Sequence, residues 1–227
     1  MRGDEATSLT QKRYDRQAGL FDFWEAPIEA LAFKRLRKRL WGEVRGRSHL
    51  EVGVGTGKNL RYHPEGARSV AVDISPRMLR RAATRAERLG LGIDLVLADA
   101  QRLPFRDGAF DAAAATFVFC SVPHPVLGLR EVRRVLRPDG KLHLLEHVRA
   151  RNPIVGKLMD WMNPLWVRVS GANINRDTVA NVQRAGFALD SVESRGFGML
   201  RLIRGAPPLA PSSQDEAEEA VGDVAHG

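Results

Sequence analysis

From Ser48 to Arg204 short β-like runs alternate with helical ones, and that alternation limits the folds open to the chain. The β-like runs are His49–Gly53, Ser69–Asp73, Ile93–Ala98, Phe110–Phe117, Lys141–His147, Leu189–Glu193 and Met199–Ile203. Helical patterns fall between them at Gly57–Tyr62, Pro76–Leu89, Pro125–Leu136 and Asp177–Ala185. In Pro125–Leu136 the apolar Leu129, Val132, Val135 and Leu136 recur at the spacing of one helix face. Gly186, directly after Ala185, is a C-terminal stop. A strand joined to the next through a helix crosses over in one hand, so the strands run parallel and the helices cover both faces.

The densest motif stands where the first β-like run ends, Glu51-Val52-Gly53-Val54-Gly55-Thr56-Gly57. Glycines there let the backbone turn tightly and approach a ligand, and a following helix N-terminus favours polar or anionic groups. Asp73 ends the second run, 20 residues after Gly53, a spacing that suits a carboxylate accepting hydrogen bonds from ribose hydroxyls. A dinucleotide fingerprint starting at Gly53 needs glycine or alanine at position 58, where Lys58 stands. A further acid, Asp99, follows the third run in Asp99-Ala100-Gln101-Arg102-Leu103-Pro104-Phe105.

Together these features resemble the class I S-adenosylmethionine-dependent methyltransferases over about Ser48–His147. Leu103–Asp111 and Leu136-Arg137-Pro138-Asp139-Gly140 look like the same family, the latter being a turn signal in its own right. The resemblance implies a doubly wound, mostly parallel seven-stranded sheet of Rossmann-like α/β class, its last strand antiparallel. It implies S-adenosyl-L-methionine as cofactor, with Gly53, Gly55 and Gly57 bordering the methionine part, Asp73 on the ribose, and Asp99 with Ala100 at the adenine. It also puts Glu51, Asn59, Ile74 and Phe117 in the cofactor site. Cys120-Ser121-Val122, Glu146-His147-Val148, Asn163-Pro164-Leu165-Trp166, Gly171–Arg176 and Tyr14-Asp15-Arg16 resemble a lipid- and thiol-directed branch. That branch includes bacterial phosphatidylethanolamine N-methyltransferases and thiol methyltransferases, with quinone C-methyltransferases near it. The implied acceptor is a lipid or small molecule, a phosphatidylethanolamine-like amine first, a thiol or quinone precursor as alternatives.

His147 falls at the carboxyl end of the fifth run, where it either orients the acceptor and takes its proton or is satisfied by a loop carbonyl. Tyr14 is the second candidate catalytic residue, as a lid over the cofactor or as an anchor for the N-terminal arm. Glu146 reads as support for the neighbouring loop, and Cys120 as a buried or pocket-lining thiol. The histidines show no ligand spacing, so no metal is implied.

The expected organisation is an N-terminal helical lid or arm over residues 1–47, with 1–13 loose and a helix from Asp22 to Val44, a methyltransferase domain over 48–205, and a disordered acidic tail over 206–227. The tail carries five acids and no Lys or Arg, so the net charge of +8 leaves +13 on the remainder. Such a surface attracts nucleic acid or anionic lipid. Phe21, Phe23 and Trp24, followed by Lys34, Arg35, Arg37, Lys38 and Arg39, have the parts of a membrane-surface helix or of a solvated basic face. A non-catalytic nucleotide-binding module acting on nucleic acid is the rival from another class, which the intact glycine run and both acids disfavour. One cysteine, no apolar run of membrane-spanning length and no signal-peptide order imply a cytoplasmic setting, with peripheral membrane attachment left open.

Overall fold

All seven β-like runs are strands in the computed structural model, which describes residues 2–17, 33–150, 152–170 and 173–208. They are β1 (Ser48–Val52), β2 (Arg68–Asp73), β3 (Ile93–Leu97), β4 (Phe110–Thr116), β5 (Leu136–His147), β6 (Ala188–Arg195) and β7 (Leu200–Ala206). They form one sheet in the order β3-β2-β1-β4-β5-β7-β6. Every pairing from β3 to β5 is parallel, while β7 lies antiparallel between β5 and β6. Strand order reverses beside β1, and ligands of open α/β sheets bind outside the carboxyl ends at such a point.

The helices are α1 (Arg2–Gln17), α2 (Lys34–Trp41), α3 (Pro76–Leu89), α4 (Pro125–Val135), α5 (Pro153–Ser170) and α6 (Thr178–Arg184). α3 shows why such a segment is helical. Ser75 caps it by accepting from Met78 N, Pro76 opens it, and Gly90 closes it at φ 65°. Its Ala82 and Ala86 pack with Val54, Leu60 and Ala71 on one face of the sheet. On the opposite face Leu129, Val132 and Val135 of α4 cover Leu50, Val52, Ala113 and Leu144. Leu40 and Trp41 of α2 pack against Ala112, Ala114 and Leu145. Burial on both faces explains the continuous apolar runs Val70–Val72 of β2 and Ala112–Ala115 of β4, while β1 buries His49 and Glu51 on the face that α2 covers.

Three expectations are corrected. Residues 2–13 are not loose but belong to α1, a helix with no apolar face to announce it. Gly57–Tyr62 is not a full helix, and only one 3-10 turn forms, at Leu60–Tyr62. The Pro138-Asp139-Gly140 turn does not precede the fifth strand but lies inside it. Phe110 pairs with Leu136 and Ala112 with Lys141, so Asp111 alone faces the bulged residues Arg137–Gly140. α5 was not foreseen, because its apolar residues point outward and Pro164 interrupts the pattern. The expected Asp22–Val44 helix is met in its described part by α2. Phe21, Phe23, Trp24, Gly171, Ala172 and the tail beyond residue 208 lie outside the described residues.

Candidate active site

A cleft of about 210 Å³ opens at the carboxyl ends of the strands around β1. Its floor is the glycine loop. Gly53 N and Val54 N donate to Val72 O at 2.9 and 3.0 Å, which carries the chain from β1 towards β2. Gly53 has φ 70°, and a Cβ there meets Val118 Cγ2 at 2.4 Å. Gly55 has φ 54°, and a Cβ on it meets no protein atom within 4 Å. That is the cradle a ligand needs. Gly57 is placed differently: it does not border the cleft but packs against α3, where a Cβ comes 3.2 Å from Ala82 Cα. Gly53→Ala therefore combines a disfavoured φ with a steric overlap, an expected loss of about 1–3 kcal/mol in stability. Thermal melts of Gly53→Ala and Gly55→Ala check this, because Gly55→Ala has strain without overlap and should melt higher.

Asp73 ends β2 inside the cleft wall. Its Oδ2 accepts from Gly55 N at 2.8 Å and its Oδ1 from Ser75 N at 2.9 Å, and Ile74 N adds a third bond. Burial pushes its carboxyl up to about 6 against the lowering effect of these bonds. A carboxylate offers about four acceptor positions. Room remains for a ribose hydroxyl, so the site fits a nucleoside cofactor. Ile74, Asp99, Ala100, Asn59 and Phe117 also line the cleft.

Glu51 does not line the cleft. It is fully buried off the cleft, accepting from Asn59 Nδ2 at 2.6 Å and meeting His63 Nε2 at 2.8 Å. The Trp41 ring stacks on His63 at 4.0 Å, closing this wall from behind. Glu51 thus holds Asn59, and Asn59 Oδ1 accepts from Arg37 Nη1 at 3.0 Å.

α1 lies across the open side. Thr7 Oγ1 donates to Asp99 Oδ2 at 3.4 Å and accepts from Gln101 Nε2 at 3.0 Å. Asp15 accepts from Ser75 Oγ and from Arg77 N at the start of α3. Tyr14 lines the cleft with its hydroxyl on Ser121, and burial raises its pKa far above the phenol range. It keeps its proton and serves as a hydrogen-bond donor, not a base.

The far end is aromatic. The His147 ring stacks on Phe117 at 4.4 Å, and Phe33 stands 4.7 Å from Phe117. Burial, then the charge of Arg37, push His147 down to about 4. It is a neutral imidazole at physiological pH. The Arg37 guanidinium lies 5.5 Å from the centre of the Phe117 ring and is itself buried. Phe117 has φ 59°, costly for a bulky residue and often found where a side chain must be aimed at a ligand.

What holds Phe117 there is Glu146. Its Oε1 accepts from Val118 N and Phe119 N, both at 2.9 Å, and its Oε2 from Cys120 N at 3.3 Å. Burial raises this carboxyl to about 7 despite those bonds. The same loop is clasped from outside. Asn173 N donates to Cys120 O at 2.9 Å, Arg176 Nη1 donates to Val122 O at 2.8 Å, and Asn163 bonds Asn173 and Ile174. Cys120 is buried, with its thiol pushed well up by burial.

The structure thus brings His147, Tyr14, Gly53, Gly55, Asn59, Asp73, Ile74, Asp99, Ala100 and Phe117 to one cleft, and leaves Glu51 and Gly57 behind it. Sequence reasoning missed Arg37 as a cleft residue, reading it with the basic run. Its spacing to Leu40 and Trp41 on the buried face of α2 was the available signal. Among the described residues no group of three His, Cys, Asp or Glu is placed to hold a metal ion.

Residues 50–144 match the methyltransferase domain family. A thiol S-methyltransferase of Homo sapiens, TMT1A, is 34% identical over 149 residues, 62% of this chain and 60% of the relative. The ubiquinone/menaquinone biosynthesis C-methyltransferase UbiE of Hahella chejuensis is 34% identical over 166 residues, 69% of this chain and 66% of the relative. This chain therefore spans roughly three-fifths to two-thirds of those two proteins. A solved Thermotoga maritima SAM-dependent methyltransferase, described as a possible histamine N-methyltransferase, superposes with a TM-score of 0.69 at 21% identity. The superposition covers 88% of this chain and 100% of that one, and at this identity the likeness is one of fold.

Proposed function

The chain belongs to the class I S-adenosylmethionine-dependent methyltransferases, and from that premise we propose that it methylates a small-molecule thiol. S-adenosylmethionine, the methyl donor of this family, supplies an electrophilic methyl group on a sulfonium. In this reading Gly53 and Gly55 border its methionine part, Asp73 holds the ribose, and Asp99 with Ala100 faces the adenine. Tyr14 and α1 exclude water, and Phe117 and His147 shape the acceptor end. Transfer of this kind needs alignment more than acid–base machinery.

The observation that favours sulfur is the buried Arg37 guanidinium in the cleft wall, 5.5 Å from the centre of the Phe117 ring. Burial first and this charge second hold His147 neutral, so the acceptor end disfavours a cation. In water a thiol of pKa about 8.5 stands nearer to ionisation at neutral pH than an alkylammonium of pKa about 10, which must first lose a proton. His147, at about 4, is too weak a base to take it. The phosphatidylethanolamine-like amine is the second reading, carried by the sequence resemblance, and a quinone precursor the third. A peripheral membrane setting belongs to this proposal where the acceptor partitions into lipid.

The test is S-adenosylhomocysteine formation with an alkyl thiol, phosphatidylethanolamine vesicles, a demethylated quinol and RNA. Turnover of the thiol is expected, and turnover of the amine or RNA alone sinks the proposal. For the thiol, kcat, which reports ionisations in the bound complex, should rise with pH along the thiolate fraction. Arg37→Gln should move that limb upward and lower the rate at neutral pH about tenfold, by removing a stabilising charge worth about one pKa unit. His147→Gln should leave the limb in place, because that imidazole is already neutral across it.

A further inference from the structure

α5 is amphipathic the wrong way round for a helix packed on a domain. Gly156, Met159 and Asn163 face the protein, the first two of them buried. Ile154, Leu158, Trp161, Met162 and Leu165 recur at helical spacing on the outer face. Ile154 and Trp161 are 79% and 80% exposed, and Leu165 is 66% exposed. Exposed large apolar side chains scattered singly need no explanation, but a contiguous stripe with a tryptophan at its centre does.

We infer that this outer face of α5 docks on an anionic lipid bilayer, lying in the interface without crossing it. Charge points to that occupant. Lys157 and Arg168 are exposed and flank one side of the stripe in the helical projection, while Asp160 is turned to Arg149 and Asn175. Among the described residues no helix is long and apolar enough to span a membrane. An apolar stripe with a cationic flank and an interfacial tryptophan is how a helix lies on a membrane surface.

A second copy of the chain fits less well. The stripe from Ile154 to Leu165 covers about 18 Å by 10 Å, roughly 180 Å², against the ~800 Å² per partner of a stable dimer. Face-to-face packing also sets the like charges of two copies together.

The helix is tied to the cleft by hydrogen bonds. Asn163, on the inner side of the same helix, bonds Asn173 and Ile174, and Asn173 holds the Cys120 carbonyl of a loop that lines the cleft. A bilayer on α5 therefore lies beside the acceptor end, where apolar acceptors concentrate.

The basic run of α2, expected to serve as the membrane contact, is partly committed elsewhere. Arg37 is inside the cleft wall, and Arg39 pairs with Glu193 and Glu43. This inference rests on the peripheral setting proposed above, but its test needs no turnover, so its failure leaves the thiol reading standing.

The experiment is sedimentation with phosphatidylcholine vesicles, with and without phosphatidylglycerol, at low and high salt. The expected result is binding to the anionic vesicles that salt weakens. Trp161→Ser with Leu165→Ser should reduce partitioning at least tenfold, and Lys157→Glu with Arg168→Glu should reduce it severalfold. Both variants should keep the circular dichroism and melting temperature of the parent, which shows that they fold. The inference is overturned if the parent does not sediment at low salt or if the apolar variant binds undiminished. It is equally overturned if Lys34→Glu with Arg35→Glu and Lys38→Glu abolishes binding while the α5 variants retain it. A dimer in solution that the apolar substitutions dissolve, without vesicle binding, assigns the face to self-association instead.

Discussion

Asp73→Ala is expected to weaken S-adenosylmethionine binding by about 10- to 100-fold. The carboxylate accepts from Gly55, Ser75 and Ile74 and offers its remaining capacity to the ribose. A charge-assisted hydrogen bond of this kind is worth about 1.5–3 kcal/mol, and the glycine loop loses its tie to β2 as well. Titration calorimetry measures the loss directly, and unchanged affinity removes Asp73 from the site. The pH dependence gives a second reading. Asp73 sits near 6, so it becomes protonated as pH falls through that value and its acceptor capacity drops. Affinity in the parent protein should fall over the same interval, and in Asp73→Ala it should be flat.

The largest effect on stability is expected at Glu146. Glu146→Ala strands the N–H groups of Val118, Phe119 and Cys120 in a buried loop. A buried unsatisfied donor costs about 1–3 kcal/mol, and partial relaxation leaves a net loss of roughly 3–5 kcal/mol. Denaturant unfolding should show it, with cofactor affinity falling too, because Phe117 and Val118 leave the cleft wall. A loss below about 1 kcal/mol contradicts this account. The sign of the pH effect follows from burial. A carboxyl whose folded pKa is raised to about 7 contributes stability that is complete below its unfolded value, and that stability is lost as pH rises through 7. His49, His143 and His147, all pushed down to about 4 mainly by burial, act oppositely, and their contribution is lost as pH falls from 6.5 towards 4. The histidine contributions cancel when the parent is compared with Glu146→Gln at each pH. The parent's melting temperature should therefore fall relative to that of Glu146→Gln as pH rises from about 5 to 8.

What could be read in the sequence was what burial writes into periodicity. The apolar runs of β2 and β4 follow from helices covering both faces, and Gly53, Gly55 and Asp73 are spaced by the one βαβ unit that contains them. The parts that escaped are buried by polar means or not buried at all. α1 has no apolar face, since Thr7, Tyr14 and Asp15 dock it through hydrogen bonds to residues 60–107 positions away. α5 turns its apolar face outward, against the rule by which helices are recognised. Glu51 and Gly57 belong to the motif along the chain, yet one turns back to Asn59 and His63 and the other seats α3. Arg37 looked like part of a solvated basic face because charge in sequence does not say which cation the core has taken in.

The polar fastening of α1 has a thermal consequence. Apart from the Tyr14 ring, opening this helix away from the cleft exposes hydroxyl, carboxylate and amide groups more than hydrocarbon. Hydrocarbon exposure raises heat capacity, whereas polar exposure lowers it slightly. The enthalpy of opening therefore changes little between cold and warm conditions, and product release past α1 should follow a straight Arrhenius line where an oily flap would give a curved one.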